Sequence, residues 1–313
     1  MKKILITGSE GFLGSHLTKL LSKKNNVYCL YKKDSFLFKD KKNKYLKVNI
    51  NDKKKIENII KKIKPDVIFH LAAKSHPVYS FRFPVETLKT NVMGTINLLD
   101  AVKRYSINSK IVVACSSAQY GKDLMNKHKK VKEDLKYNPD HIYGLSKYFQ
   151  NRLSNQYFKM HKLKILNAII FNTSGPGKVG DVFYDFIKRF IKEYKKNRKI
   201  LTFDVGNIFN KRDFLHYKDT VNALLLISNK GKIGESYNIS TSRLNSIKDI
   251  LNYLAKKFSV KLIIKKDKKL IRKFDEKIIA GSNKKLKQLG WRPKKNLQNI
   301  IDDMCDFYLK KNK

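Results

Sequence analysis

Thr7-Gly8-Ser9-Glu10-Gly11-Phe12-Leu13-Gly14 follows directly on the apolar run Ile4-Leu5-Ile6. The pattern is G-x-x-G-x-x-G, set between a predicted strand at 3–7 and a predicted helix from about residue 12. Gly8 permits the tight turn that leaves the strand. Gly11 lets the backbone approach a pyrophosphate, which then sits at the positive end of the helix. Gly14 lets helix and strand pack closely. Phe12 and Leu13 lie inside the same turn. In this context the motif predicts a dinucleotide cofactor, held by Gly8, Gly11, Phe12, Leu13 and Gly14.

Outward from that turn, short apolar runs alternate with helical patterns. Strands are expected at 3–7, 27–31, 45–49, 67–71, 110–116 and 164–171, and helices near 12–23, 53–63, 84–105 and 141–161. Pro84 suits a first helical turn. Such alternation signals an α/β protein with a doubly wound parallel Rossmann sheet. After about residue 172 the alternation fails. Helices near 181–196, 218–228, 246–257 and 297–309 suggest a smaller C-terminal substrate-binding lobe. The expected division is 1–171 for the cofactor domain, which also uses about 213–240, and 172–313 for the lobe.

The end of the second strand bears on cofactor choice. An acidic residue there accepts a hydrogen bond from the ribose 2′-hydroxyl of NAD. This chain has Tyr31-Lys32-Lys33. Lysine attracts a 2′-phosphate and a carboxylate repels one, so NADP(H) is favoured over NAD(H). Asp34 is the nearest acid able to reverse that reading.

The fifth expected strand ends in Cys115-Ser116-Ser117-Ala118-Gln119-Tyr120-Gly121, and Tyr143-Gly144-Leu145-Ser146-Lys147 opens a later helix. Spacing i, i+4 puts Tyr143 and Lys147 on one helix face. An ammonium beside a phenol favours the phenolate, which lowers the tyrosine pKa toward a useful range. Such a phenol can pass a proton to or from a carbinol oxygen while hydride moves, and a serine hydroxyl at a strand tip can bind the same oxygen. In a lysine-rich chain, Y-x-x-x-K alone reads as an ordinary surface pair. The glycine turn and the serine-tipped strand give it weight.

Of the 69 basic residues, nine are Arg and 60 Lys, against 26 acidic ones, for a net charge of +43. The lysines are spread along the whole chain, as solvated faces and turns would be, so nucleic acid is not the expected partner. The charge should still steer anionic ligands. With 42% hydrophobic residues the chain has material for a core and is not disordered. No apolar stretch is long enough for a membrane span. The start Met1-Lys2-Lys3-Ile4-Leu5-Ile6 has too short an apolar run for a signal peptide, so a cytoplasmic location is expected. Cys29, Cys115 and Cys305 have no metal or disulfide spacing.

These motifs together resemble the extended short-chain dehydrogenase/reductases that act on nucleotide sugars. Further segments carry the likeness over nearly the whole length: His70-Leu71-Ala72-Ala73-Lys74-Ser75, Asn91-Val92-Met93-Gly94-Thr95, Phe171-Asn172-Thr173-Ser174-Gly175-Pro176-Gly177, Arg212-Asp213-Phe214 with Asp219, and Gly281-Ser282-Asn283-Lys284-Lys285-Leu286 leading to Gly290-Trp291-Arg292-Pro293. The chain looks most like GDP-4-dehydro-6-deoxy-D-mannose reductases, whose product is GDP-D-rhamnose, with the GDP-mannose 4,6-dehydratases as near relatives. The resemblance implies a Ser116-Tyr143-Lys147 triad, in which Ser116 is selected over Ser117 by standing four residues before the Tyr of Tyr-Gly. It places Asn49 and Ile50 at adenine and Leu71, Ala72 and Ala73 along the cofactor. Lys147 also holds the nicotinamide ribose. Ser75, Asn172, Arg212 and Arg272 fall where a nucleotide diphosphate sugar is held, a role that suits Arg forks. Asn91, His70 and His76 read as structural.

Two departures shape the functional expectation. Family dehydratases carry a Glu two residues after the triad Ser/Thr, and the fucose-synthase type of epimerisation uses a Cys there; this chain has Ala118. The Arg that usually precedes Phe-Asn is replaced by Ile169 and Ile170. The expectation is NADP(H)-dependent reduction of a nucleotide-bound 4-keto sugar, with 4-epimerase or 4,6-dehydratase as alternatives. A non-catalytic Rossmann binding protein is a third. The resemblance also implies a homodimer built on helices 84–105 and 141–161, with Leu98, Leu99 and Val102 either at its seam or in the core. No metal is expected.

Overall fold

A computed structural model describes residues 1–121, 130–196, 199–271 and 278–311. The first half runs β1 (Lys3–Thr7), α1 (Phe12–Leu21), β2 (Asn26–Tyr31), β3 (Lys44–Lys47), α2 (Lys53–Ile63), β4 (Val67–His70), α3 (Pro77–Arg82), α4 (Pro84–Leu88), α5 (Gly94–Tyr105), β5 (Lys110–Ser116), α6 (Ile142–His161) and β6 (Lys164–Ile170). It continues with β7 (Asn172–Ser174), α7 (Val182–Tyr194), β8 (Ile200–Val205), β9 (Lys211–Arg212), β10 (Phe214–His216), α8 (Tyr217–Lys230) and β11 (Ser236–Ile239). The last elements are β12 (Asn245–Ser246), α9 (Ile247–Lys257), β13 (Lys261–Lys266), β14 (Ile278–Ile279), α10 (Lys284–Gln288) and α11 (Leu297–Lys311).

Seven strands form one sheet in the order β11-β6-β5-β4-β1-β2-β3. Every pairing in it is parallel. Its central strands are near-continuous apolar runs, such as the fully buried Val67-Ile68-Phe69-His70, because helices cover both faces. In α2, Ile56, Ile60 and Ile63 recur at helical spacing and are buried, while the intervening lysines stay in water. Asp52 caps this helix by accepting from Lys55 N. The strand order reverses at β1, so a crevice opens beyond the carboxyl ends of β1 and β4.

The expected helix over 84–105 is interrupted. Between α4 and α5, Lys89–Met93 forms a π-helical turn, the kind of irregularity that often marks a working site. It holds the buried Asn91. Leu98, Leu99 and Val102 are fully buried within this one chain, which settles them as core.

Beyond residue 172 the chain crosses between two hydrophobic cores. Phe183, Ile187, Phe190, Phe203, Leu251, Leu254, Ile301 and Met304 form the smaller one, under the parallel pair β8–β13. Helix α8, strand β11, Leu286 and Trp291 return to the larger one. Trp291 Nε1 donates to Asp219 O at 3.1 Å. All three cysteines are free and buried. No described helix is long and apolar enough to cross a membrane, and no metal-ligating cluster occurs among the described residues.

Candidate active site

The glycine turn is tied to the end of β2. Gly8 N and Ser9 N both donate to Leu30 O, at 2.9 and 3.1 Å, and Ser9 Oγ donates to the same oxygen at 3.1 Å. Gly8 has φ +70°, and a Cβ there would stand 2.8 Å from the Ala72 backbone. A Cβ on Gly14 would meet Gly8 O at 2.1 Å, so these two positions exclude any side chain. Thr7 Oγ1 accepts from Ala72 N at 3.1 Å and shares a 2.8 Å hydrogen bond with His70 Nδ1. Burial holds the His70 imidazole neutral, its pKa lowered to about 3, as befits a structural ring.

A cleft of about 900 Å³ opens from this turn and runs to the second lobe. Gly8, Gly11, Phe12, Leu13 and Gly14 line it, as do Tyr31, Lys32, Lys33, Asn49 and Ile50. Leu71, Ala72 and Ala73 form one wall. Ser116, Tyr143 and Lys147 face it from β5 and α6, and Ser75, Asn172 and Arg212 line its further part. Arg272 lies outside the described residues. Asn172 Nδ2 is buried and has no hydrogen-bond partner among the described residues, so it has a donor to offer an occupant. The glycine cradle and this orphan donor fit an anionic dinucleotide and a polar ligand beside it.

Helix α6 reaches the tip of β5 through Gly144, where a Cβ would meet Ala118 O at 2.5 Å. That close approach sets Tyr143, 8% exposed, beside Ser116. Ser116 Oγ accepts from Ala118 N at 3.2 Å, leaving its own proton to donate. The expected lowering of the Tyr143 pKa is not what the geometry produces. Burial pushes the phenol up to about 12, and only the Ser116 hydrogen bond acts to lower it. The reason is where the ammonium points: Lys147 Nζ, 3% exposed, donates to Ala114 O at 2.9 Å and Gln150 Oε1 at 2.7 Å. Burial lowers Lys147 itself to about 8.

Asn91 braces this helix. Its Nδ2 donates to Ser146 Oγ at 2.8 Å and to Lys74 O at 3.1 Å, and its Oδ1 accepts from Lys74 N at 2.7 Å. A second buried chain runs from Lys147 through Gln150 Nε2 to Thr95 Oγ1 at 2.8 Å, and on to His70 Nε2 at 3.0 Å.

The cleft also contains residues that motif reading passes over. His141 caps α6 by accepting from Gly144 N at 3.0 Å and stacks on Tyr143 with ring centroids 6.1 Å apart. Lys178 lies 5.5 Å over the Phe12 ring. Arg189 packs 4.0 Å over Phe203 and donates to Asp204 O. Glu10 lines the cleft beside Lys32. A histidine one residue before a helix is a usable capping signal. For the cations, no local pattern separates them from the rest of the chain's 69 basic residues.

A Rossmann sheet whose glycine turn faces a Ser-Tyr-Lys group across one cleft defines an enzyme of the extended short-chain dehydrogenase/reductase type. More narrowly, the chain belongs to the GDP-mannose 4,6 dehydratase family, whose model matches residues 5–304. It is 32% identical over 284 residues to a dTDP-D-glucose 4,6-dehydratase of Dictyostelium discoideum, covering 80% of this chain and 62% of that protein's length. It is 26% identical over 307 residues to a GDP-6-deoxy-D-mannose reductase of Pseudomonas aeruginosa, covering 96% of this chain and 97% of the relative. A Thermotoga maritima UDP-glucose 4-epimerase structure shares the fold with TM-score 0.88 and 24% identity, over 99% of this chain and all of the other. Among solved structures with this fold, one from Pseudomonas aeruginosa is complexed with NADPH and an epimerase from Thermus thermophilus with NAD.

Proposed function

We propose that this chain reduces the 4-keto group of a GDP-linked 6-deoxy sugar. The observation that carries the reading is a buried phenol beside a serine hydroxyl, with a methyl group at Ala118. Tyr143, held up to about 12 by burial, is a proton donor at neutral pH. That suits carbonyl reduction, in which the oxygen must gain a proton. A 4-epimerase would start from the phenolate, which must take the proton of the sugar hydroxyl, and burial disfavours that ionised form. A 4,6-dehydratase needs a second acid/base for the elimination, and Ala118 supplies none.

In this reading the turn of Gly8 and Gly11, packed on its helix through Gly14, would admit the dinucleotide pyrophosphate, Asn49 and Ile50 would flank adenine, and Leu71, Ala72 and Ala73 wall the site. The bound nicotinamide supplies hydride. Ser116 Oγ donates a hydrogen bond to sugar O4 and fixes its place. Tyr143 Oη gives O4 its proton. Lys147 holds the nicotinamide ribose while its ammonium stays bonded to Ala114 O and Gln150 Oε1. Asn172 Nδ2, Arg212 and Ser75 hold the sugar nucleotide. Lys32 and Lys33 support NADP(H), but both are exposed and their charge is screened; Glu10 acts against it.

The test is consumption of reduced nicotinamide by the purified chain on addition of GDP-4-keto-6-deoxymannose. Tyr143→Phe should lower kcat/KM by about 10²–10⁴-fold while leaving dinucleotide affinity within about twofold. No consumption with any 4-keto nucleotide sugar would overturn the reading.

A further inference from the structure

The glycine pattern does not require an acid at position 10; the turn needs its glycines alone. The structure nevertheless gives Glu10 a defined place. Because the turn is bonded to Leu30 O at the end of β2, the Glu10 side chain reaches across to the residues after that strand. Lys32 N donates to Glu10 Oε1 at 2.8 Å, and Lys33 N approaches it at 3.5 Å. Glu10 Oε2 is shielded from solvent and has no hydrogen-bond partner among the described residues. Glu10 is among the residues that line the cofactor cleft.

This is the place where doubly wound folds read the adenosine ribose. A carboxylate at the end of the second strand accepts from the 2′-hydroxyl, whereas a 2′-phosphate needs cations and free donors. The strand itself ends in Tyr31 and two lysines. Asp34 does not fill the role, for it is exposed and bonded to Lys47 at 3.0 Å. Glu10 brings the missing charge from the neighbouring turn. It also occupies the Lys32 and Lys33 amides that a phosphate would otherwise use. Its unsatisfied oxygen gains by meeting a hydroxyl donor and loses by meeting a second anion.

We propose that Glu10 is the residue that discriminates the cofactor: it accepts from the ribose 2′-hydroxyl and excludes the 2′-phosphate, so that the chain selects NAD(H) over NADP(H). The proposal rests on the reading of the cleft as a dinucleotide site, and on nothing about which sugar is reduced.

Calorimetric titration of the full chain with NAD⁺, NADP⁺ and 2′-deoxy-NAD⁺ tests it. NAD⁺ should bind about tenfold or more tightly than NADP⁺, and 2′-deoxy-NAD⁺ several-fold more weakly than NAD⁺. Glu10→Gln keeps the shape and an acceptor oxygen but removes the charge. It should narrow the NAD⁺/NADP⁺ ratio by about fivefold or more, chiefly by tightening NADP⁺. An unchanged ratio in that variant, or wild-type protein that prefers NADP⁺, overturns the role of Glu10 and leaves the dinucleotide site standing. Binding of neither nucleotide overturns both. Should Glu10→Gln fail to fold, the three ligands on the wild-type chain still decide.

Discussion

Two side chains on one helix face carry the proposed chemistry, and burial acts on them in opposite senses. Tyr143 is pushed up to about 12 and Lys147 down to about 8. The phenol therefore stays protonated across the physiological range, while the ammonium titrates at its edge. Lys147 binds its proton less tightly in the folded chain than at its ordinary value of 10.5. Its burial thus weighs against folding below about pH 8 and is relieved as pH rises from about 8 to 10.5. Catalysis does not follow that titration, because the ammonium is bonded to Ala114 O and Gln150 Oε1 and the phenol keeps its proton up to about 12. The rate of keto reduction should stay level as pH rises through about 8. A kcat profile that falls near pH 8 would show that the Lys147 charge does assist Tyr143.

At the scale of elements, the two cores are joined by polar connections. Asp213, fully buried between β9 and β10, accepts from Ser240 Oγ at 2.6 Å, Thr241 N at 2.8 Å, Thr241 Oγ1 at 2.6 Å and Ser242 N at 2.9 Å. These bonds pin the end of β11 to the segment that carries Arg212 into the cleft. Asp213→Ala takes the carboxylate from three buried donors and the part-buried Ser242 N, and should cost about 3 kcal/mol or more in denaturant unfolding. A loss below about 1 kcal/mol would show the network to be dispensable. The same scale shows what was legible beforehand. β1 and β5 lie where uninterrupted apolar runs put them, and α2 where its isoleucine spacing put it. The short helix α3, the π turn and the two- to three-residue strands of the second lobe have no period to read, since tertiary contacts alone create them. The site divides in the same way. The glycine turn and Tyr143/Lys147 are local patterns. Glu10 acts through a contact 22 residues away, and the Lys147 ammonium turns to Ala114 and Gln150 rather than to the phenol.

In the whole molecule, the sheet presents the glycine turn and the β5 tip on one side of the cleft. The second lobe closes the other with Phe186, Arg189 and Arg212. The surplus of lysine lies largely on solvated faces such as that of α2, where it attracts anionic ligands without choosing among them. Specificity rests on the buried groups, and the central claim is that hydride and proton meet at one sugar carbonyl. The most direct measurement uses reduced nicotinamide carrying deuterium at its transferable position, with GDP-4-keto-6-deoxymannose as acceptor. The account predicts deuterium at C4 of the product sugar, one per cofactor oxidised, and almost none formed by Tyr143→Phe. Product without deuterium at C4, or label remaining wholly on the nicotinamide while the sugar changes configuration, would contradict it.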